Sequence, residues 1–271
     1  MIPNRHTSKM PEKGRSIQSV IRRPRPEPEA VAIAVVYEDE SLIAIDKPPG
    51  MVVHPTYRNW SGTLLNGLLW HVRGRPGIEP SIVTRLDKDT SGLVLVALRP
   101  ELHARIQRDA AAGRMKKEYL AIVRGAPTPS CGSIALPLAR SAEDRRRVVV
   151  TATGQPSQTD YEVLSTWGGD GDGPEGPSLQ SPSSQGPPLL GRYSLVRCEL
   201  VTGRTHQIRV HLAARGWPIA GDASYGEAHP ALARQALHAW RLSLPHPVTR
   251  EALQLEAPVP QDLRALLAGL S

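Results

Sequence analysis

This 271-residue chain contains no phenylalanine and only two cysteines, Cys131 and Cys198. Two thiols are too few for a disulfide framework or a structural zinc site, so we expect both to be reduced, as in the cytoplasm. No apolar stretch reaches the roughly 18 residues of a membrane-spanning helix, and the basic N-terminus lacks the apolar part of a secretory signal. With five Trp and six Tyr side chains, an aromatic stacking platform for single-stranded nucleic acid has little support.

Charge of one sign is in excess. The chain has 33 Lys and Arg against 26 Asp and Glu, a formal net charge of +7. Such an excess favours a polyanionic partner, with nucleic acid the leading candidate, although a solvated basic surface is the simpler alternative. The hydrophobic content of 40% and charged content of 22% are ordinary for a globular protein with a substantial core.

Composition divides the chain into a tail, one domain and an insertion. Residues 1–30 are polar, basic and proline-bearing, and we predict a disordered tail that either adds affinity for phosphates or is simply solvated. Residues 31–271 are predicted to form a single domain. Within it, residues 168–191 are rich in Gly, Pro and Ser, which predicts a flexible insertion joining two neighbouring strands at 161–166 and 193–200.

Short strands alternate with a few helices along the domain. Apolar runs at 31–37, 41–47 and 119–123 predict strands, the first two joined by an acidic turn. Leucine spacing predicts a helix over 63–72, and a second helix over 100–112 has proline in its first turn and glycine after its end. This pattern indicates a mixed α+β fold, with a largely antiparallel β-sheet core flanked by helices.

A charged loop precedes a buried strand in the middle of the chain. The loop carries Arg85, Asp87, Lys88 and Asp89 and continues into the apolar run 93–98. Carboxylates at the end of a buried strand are unfavourable unless paired, and are often retained for chemistry. The alternative is that these carboxylates cap the turn or form surface ion pairs.

The second dense segment, residues 203–216, is basic and contains no acidic side chain. We predict that Thr205 caps a helix ending at the glycine at 216, which places Arg209 one turn from the helix start. Backbone amides and arginines together would bind phosphate, while the alternative is a solvated basic face. His206 and His211 have no third ligand at metal-binding spacing, so we expect no metal and regard core or surface histidines as equally consistent.

Several short motifs occur in a fixed order and together resemble the RluA-type pseudouridine synthases over residues 31–260. They lie at 46–50, 53–55, 85–87 with 90–92, 117–121, 203–212, and 218–222 with 225–226. Two features depart from the family pattern: Thr84 stands where the family usually has His, and the 168–191 insertion is extra. The N-terminal stretch is too short for the S4 RNA-binding domain that many relatives carry.

The resemblance implies a pseudouridine synthase fold that isomerises uridine to pseudouridine in structured RNA, either rRNA or tRNA, as a monomer without cofactor, metal or membrane. By resemblance, Asp87 is the catalytic carboxylate and acts by attack on ribose C1′ or by assisting glycal formation. Arg209 would be its cationic partner, and Tyr119 would stack on the target base and assist proton transfer at C5. The implied RNA contacts are Arg85, Arg204, His206, Gln207 and Lys117, whereas Asp89 would cap the turn.

Two other functions compete with this interpretation. A glycoside hydrolase needs two carboxylates about 5–10 Å apart, for which Asp87 and Asp89 are nominal candidates. A non-catalytic RNA-binding or assembly factor on the same fold is the other alternative, although retention of Asp87, Tyr119 and Arg209 argues against a lost active site.

Overall fold

The computed structural model describes residues 26–56, 59–168 and 191–270. Most of the predicted tail (1–30) and of the predicted insertion (168–191) lie outside the described residues, so this division stays a prediction. The end of the tail is described, however, and contacts the domain. Asn66 Nδ2 donates to the Glu27 carbonyl at 2.8 Å, and the Glu29 N–H donates to the Asn66 carbonyl at 3.1 Å.

The domain is built on one large sheet. Its strands and a separate small hairpin are β1 (Ala34–Glu38), β2 (Leu42–Lys47), β3 (Ser81–Ile82), β4 (Ser91–Ala97), β5 (Lys116–Arg124), β6 (Cys131–Ala135), β7 (Leu138–Arg140), β8 (Val148–Val150), β9 (Gln158–Trp167), β10 (Tyr193–Leu200), β11 (Leu237–Pro245) and β12 (Ala252–Glu256). The sheet runs in the order β1-β2-β4-β11-β5-β10-β9-β6, with β3 on β4 and β12 on β11, while β7 pairs with β8 alone. Among the described strands the one parallel pairing is β4 with β11, so the predicted largely antiparallel α+β fold is confirmed.

The helices of the described chain are α1 (Leu64–His71), α2 (Pro100–Ala111), α3 (Gln207–Ala214) and α4 (Gln261–Leu270). Two were predicted nearly to the residue: Thr63 caps α1, and α2 begins at Pro100 and is followed by Gly113 with φ +70°. No helix in the described part of the chain is long and apolar enough to cross a membrane.

The predicted start of α3 is wrong. Thr205 does not cap the helix; His206 occupies the cap position with a left-handed φ of 55°, and the helix begins at Gln207. The side-chain carbonyl of Gln207 accepts hydrogen bonds from the Arg204 N–H at 3.0 Å and the Thr202 hydroxyl at 2.8 Å. These bonds close the turn before α3, so the turn does not need a threonine cap.

Strand positions follow the apolar runs. β10 coincides with its prediction and β9 pairs beside it, as expected for strands flanking an insertion. β5 is longer than predicted, because its polar first residues pair with β11. β4 is buried along its whole length, and Gly92 has a φ of +109° where a Cβ would lie 2.2 Å from the Ala239 carbonyl oxygen of β11. The charged loop before β4 is therefore fixed tightly to the centre of the sheet.

Candidate active site

An open cleft of about 790 Å³ lies where the loop before β4, the face of α2, the start of β5 and the turn before α3 converge. All of the predicted site residues line it. They are Arg85, Asp87, Lys117, Tyr119, Arg204, His206, Gln207 and Arg209. These residues come from three segments that are far apart in the sequence, so the fold rather than local spacing brings them together.

Arg209 lies between two carboxylates. Its Nη1 donates to Asp87 Oδ2 at 3.0 Å, while Nε and Nη2 donate to the two oxygens of Asp222 at 2.6 and 2.8 Å. Arg209 is 7% exposed and Asp222 1% exposed. Burial alone would lower the pKa of Arg209, but the two carboxylates raise it well above its ordinary value. The guanidinium therefore stays charged and fixes Asp87 through its Oδ2 atom.

Two buried cations hold the backbone of the loop that carries Asp87. Lys47 Nζ donates to the Lys88 carbonyl at 2.9 Å, and Arg234 Nη1 donates to the Asp89 carbonyl at 3.3 Å. Burial lowers the pKa of Lys47 to about 8. The Asp89 carboxylate acts electrostatically on Lys47, and no hydrogen bond to the turn is made by that carboxylate among the described residues.

Thr84, which departs from the family pattern, joins the loop to the sheet. Its Oγ1 accepts a hydrogen bond from the Leu95 N–H at 2.8 Å, and the residue also lines the cleft. The hydroxyl thus anchors the start of the charged loop to β4. This role could not be predicted from the sequence, because Leu95 lies eleven residues further along the chain.

Tyr119 lies on β5 with its side chain in the cleft lining. Burial, and secondarily the charge of Asp87, raise the pKa of its hydroxyl well above 10. No partner for this hydroxyl is found among the described residues. Tyr119 is therefore a neutral aromatic side chain beside Asp87, and its stacking on a target base stays a prediction.

The remaining predicted contacts divide into two kinds. Arg85 and Lys117 have no carboxylate partner in the part of the chain that the structure describes, and burial lowers the pKa of Lys117. Among the described residues, the Arg204 side chain donates only to the Pro156 carbonyl, at 3.4 Å. In contrast, the amide of Gln207 is occupied: besides the turn bonds, its Nε2 donates to the Gln158 carbonyl at 2.9 Å and to Thr159 Oγ1 at 3.0 Å. The structure thus gives Gln207 a structural function, and contact with RNA stays a prediction.

The site is completed by three residues for which the sequence predicted no role. Asp222 and Tyr225 lie in the recognised 218–226 stretch, and Lys47 in the 46–50 motif, but a motif does not show which side chain each one contacts. His211, in contrast, is a core histidine bonded to Thr159 Oγ1 and Ser157 Oγ, both at 3.0 Å.

The chain belongs to the RNA pseudouridylate synthase family, whose sequence pattern matches residues 41–214. The chain is 39% identical over 246 residues to ribosomal large subunit pseudouridine synthase D of Nitrosomonas europaea, covering 87% of this chain and 64% of that protein. It is 36% identical over 241 residues to an uncharacterized RNA pseudouridine synthase of Bacillus subtilis, covering 87% of this chain and 72% of that protein. The predicted family is confirmed, and the chain spans less than two thirds of the Nitrosomonas relative.

Among solved structures, the human protein RNA pseudouridylate synthase domain containing 1 shares the fold. The TM-score is 0.64 at 24% sequence identity, and the match covers 92% of this chain and 97% of that chain. The predicted pseudouridine synthase fold is therefore confirmed.

Proposed function

We propose that this protein isomerises uridine to pseudouridine in structured RNA, with Asp87 as the catalytic carboxylate. The observation that carries the proposal is the Asp87–Arg209 ion pair in a cleft lined by further cations. The names of relatives favour ribosomal RNA of the large subunit as the substrate. We propose this RNA in preference to tRNA.

The geometry suits the chemistry. A carboxylate acting as nucleophile at C1′, or as base in glycal formation, must be held in a fixed orientation, and Arg209 Nη1 provides that contact at 3.0 Å. The N1–C1′ bond breaks and leaves its electron pair on the uracil, the uracil turns, C5 bonds to C1′, the C5 proton leaves to solvent and N1 takes up a proton. Tyr119 supports the uracil during the turn. Because the reacting atoms are hidden in a stacked RNA, the nucleotide must first be extruded into the cleft, where Arg85, Lys117 and Arg204 bind phosphates.

The hydrolase alternative fails on the number of carboxylates. Of the described residues that line the cleft, only Asp87 carries one. Glycoside hydrolases need a second carboxylate about 5–10 Å away to act as acid or base. Asp89 lies outside the lining, so the cleft supports chemistry with a single carboxylate.

The test is release of tritium from RNA labelled at uracil C5. We expect wild-type protein to release tritium, and Asp87→Asn to reduce release by about a thousandfold or more while RNA binding persists, because the amide cannot act as a nucleophile. Asp160→Asn is the matched control, since Asp160 lies on β9 outside the cleft lining. Wild-type protein that binds RNA but forms no pseudouridine in any cellular RNA would show that it is a non-catalytic RNA-binding factor.

A further inference from the structure

Tyr225 joins three parts of the molecule through one hydroxyl. Its oxygen accepts a hydrogen bond from the Val148 N–H of β8 at 2.8 Å and lies 2.7 Å from His206 Nδ1. The Tyr225 O–H has no other acceptor among the described residues, so both groups are satisfied when the hydroxyl donates to Nδ1. The two rings also pack edge to face, with centroids 5.6 Å apart. A neutral His206 held in this way carries its own proton on Nε2.

The Nε2 atom of His206 is directed at the catalytic carboxylate. It lies 3.8 Å from Asp87 Oδ2, the same oxygen that accepts from Arg209 Nη1 at 3.0 Å. Asp87 Oδ1 accepts no hydrogen bond among the described residues. Arg209 therefore bonds to Oδ2 and His206 Nε2 faces the same oxygen from beyond hydrogen-bond distance, which leaves the other oxygen of the carboxylate for the substrate.

The backbone of His206 indicates that this placement is functional. His206 is one of two non-glycine residues with positive φ in the described chain, at 55°. Its side chain makes no capping hydrogen bond to α3. Strained backbone of this kind persists where the surrounding structure requires it, and it is concentrated at active sites. Here the strain directs the ring toward Asp87 and Tyr225.

The surroundings of His206 favour the neutral ring. Burial lowers the pKa of His206, and the nearby charges act in both directions: Asp87 and Asp222 favour the charged form, whereas Arg209 and Arg140 oppose it. Arg140 belongs to β7, and Arg147, next to Val148, lies with its Cζ 5.5 Å from the centre of the Tyr225 ring. Tyr225 thus also connects His206 to the arginine-bearing β7–β8 hairpin.

We propose that a neutral His206 orients Asp87 by presenting its Nε2–H to Oδ2, and that Tyr225 is the positioning residue that fixes this Nε2–H form. The inference deepens the proposed function and rests on it. Removing the Tyr225 hydroxyl releases the ring to take the other tautomer, in which Nε2 is an acceptor facing a carboxylate. That arrangement repels Asp87 and disturbs its orientation without removing any group that binds RNA.

The first test is Tyr225→Phe, which keeps the ring and removes the hydroxyl. We expect ¹⁵N NMR of histidine-labelled protein without RNA to show His206 as the Nε2–H tautomer in wild type and a mixture in the variant. We expect kcat to fall about tenfold with KM for RNA nearly unchanged, as for one lost hydrogen bond acting in the transition state. Tyr161→Phe is the control: its hydroxyl donates to the Pro129 carbonyl at 3.1 Å, away from the cleft, and its loss leaves both measurements unchanged.

A second pair of variants tests His206 itself. His206→Gln retains an N–H donor of similar reach, whereas His206→Leu has none, so we expect Gln to restore most of the kcat that Leu loses. Equal kcat for these two variants, or a Tyr225→Phe protein with wild-type kcat and tautomer, would overturn the inference. Wild-type protein inactive on every RNA would instead overturn the proposed function, because the NMR measurement does not depend on turnover.

Discussion

The orientation of Arg209 toward Asp87 depends on its second partner, Asp222. If Arg209 were bonded to Asp87 alone, its side chain could swing toward any phosphate that entered the cleft. The two bonds to Asp222 fix the plane of the guanidinium and leave Nη1 for Asp87. Asp222 also accepts from the Ser224 N–H at 3.1 Å, which secures its own position in the following turn. The buried carboxylate thus orients, through Arg209, the carboxylate that we propose to be catalytic.

Removing Asp222 should therefore affect both stability and turnover. We expect Asp222→Ala to lower the free energy of unfolding by about 3–5 kcal/mol, because the buried guanidinium loses its two bonds to a buried carboxylate. Turnover per folded molecule should fall as Arg209 loses its orientation. Urea denaturation and single-turnover kinetics measure the two effects separately.

The matched control for Asp222 is an exposed ion pair of the same chemistry. Glu256→Gln breaks the 2.8 Å contact with Arg241, whose side chain is 44% exposed. We expect a change of at most about 1 kcal/mol and unchanged turnover. An Asp222→Ala protein as stable as the Glu256→Gln protein would contradict the proposed function of the buried pair.

At the scale of elements, the loop before β4 is held by segments distant in sequence. Lys47 ends β2, Arg234 precedes β11, and Arg234 is itself bound by Asp262 of α4 through contacts of 2.6 and 2.9 Å. The C-terminal helix is thereby tied to the loop that carries Asp87. The rigidity of that loop is a property of the sheet and α4 together.

Arg234→Met should loosen the loop while leaving the cleft cations in place. We expect faster hydrogen exchange at the Thr90 amide, which donates to the Asp87 carbonyl at 3.1 Å, because the Asp89 carbonyl loses its donor. RNA affinity should be unchanged and kcat reduced. Unaltered exchange at Thr90 would mean that Arg234 stabilises α4 without acting on the loop.

Sequence reasoning was most successful where structure is local. Apolar runs located β2, β4 and β10, leucine spacing located α1, and the terminal proline and glycine located α2. It failed at the start of α3, where the Gln207 amide and the left-handed His206 replace the expected Thr205 cap. The site residues came from ordered motifs, but the contacts of Asp222 and Tyr225 depend on tertiary structure. Spacing along a chain carries no information on which buried groups finally meet.

At the scale of the whole molecule, the fold concentrates uncompensated positive charge at the cleft. Arg85 and Lys117 line it without a carboxylate partner among the described residues. The β7–β8 hairpin, which contacts Tyr225, carries Arg145 and Arg147 in its loop, and Arg147 lies over the Tyr225 ring. A polyanion approaching the cleft meets cations on more than one side, with Asp87 between them.

This distribution predicts that RNA affinity falls steeply as the salt concentration rises. The contribution of the β7–β8 hairpin to that slope can be measured separately. Each phosphate contact contributes a slope of roughly −0.7 to −0.9 in a plot of log affinity against log salt concentration. Arg145→Gln combined with Arg147→Gln should reduce the slope by about one to two, because two contacts are removed. Arg241→Gln, outside the cleft lining and already paired with Glu256, should leave the slope unchanged. Filter binding of a structured rRNA fragment across a salt series measures all three proteins. An equal slope for the double variant and wild type would show that the hairpin lies outside the RNA contact surface and would restrict that surface to the cleft walls.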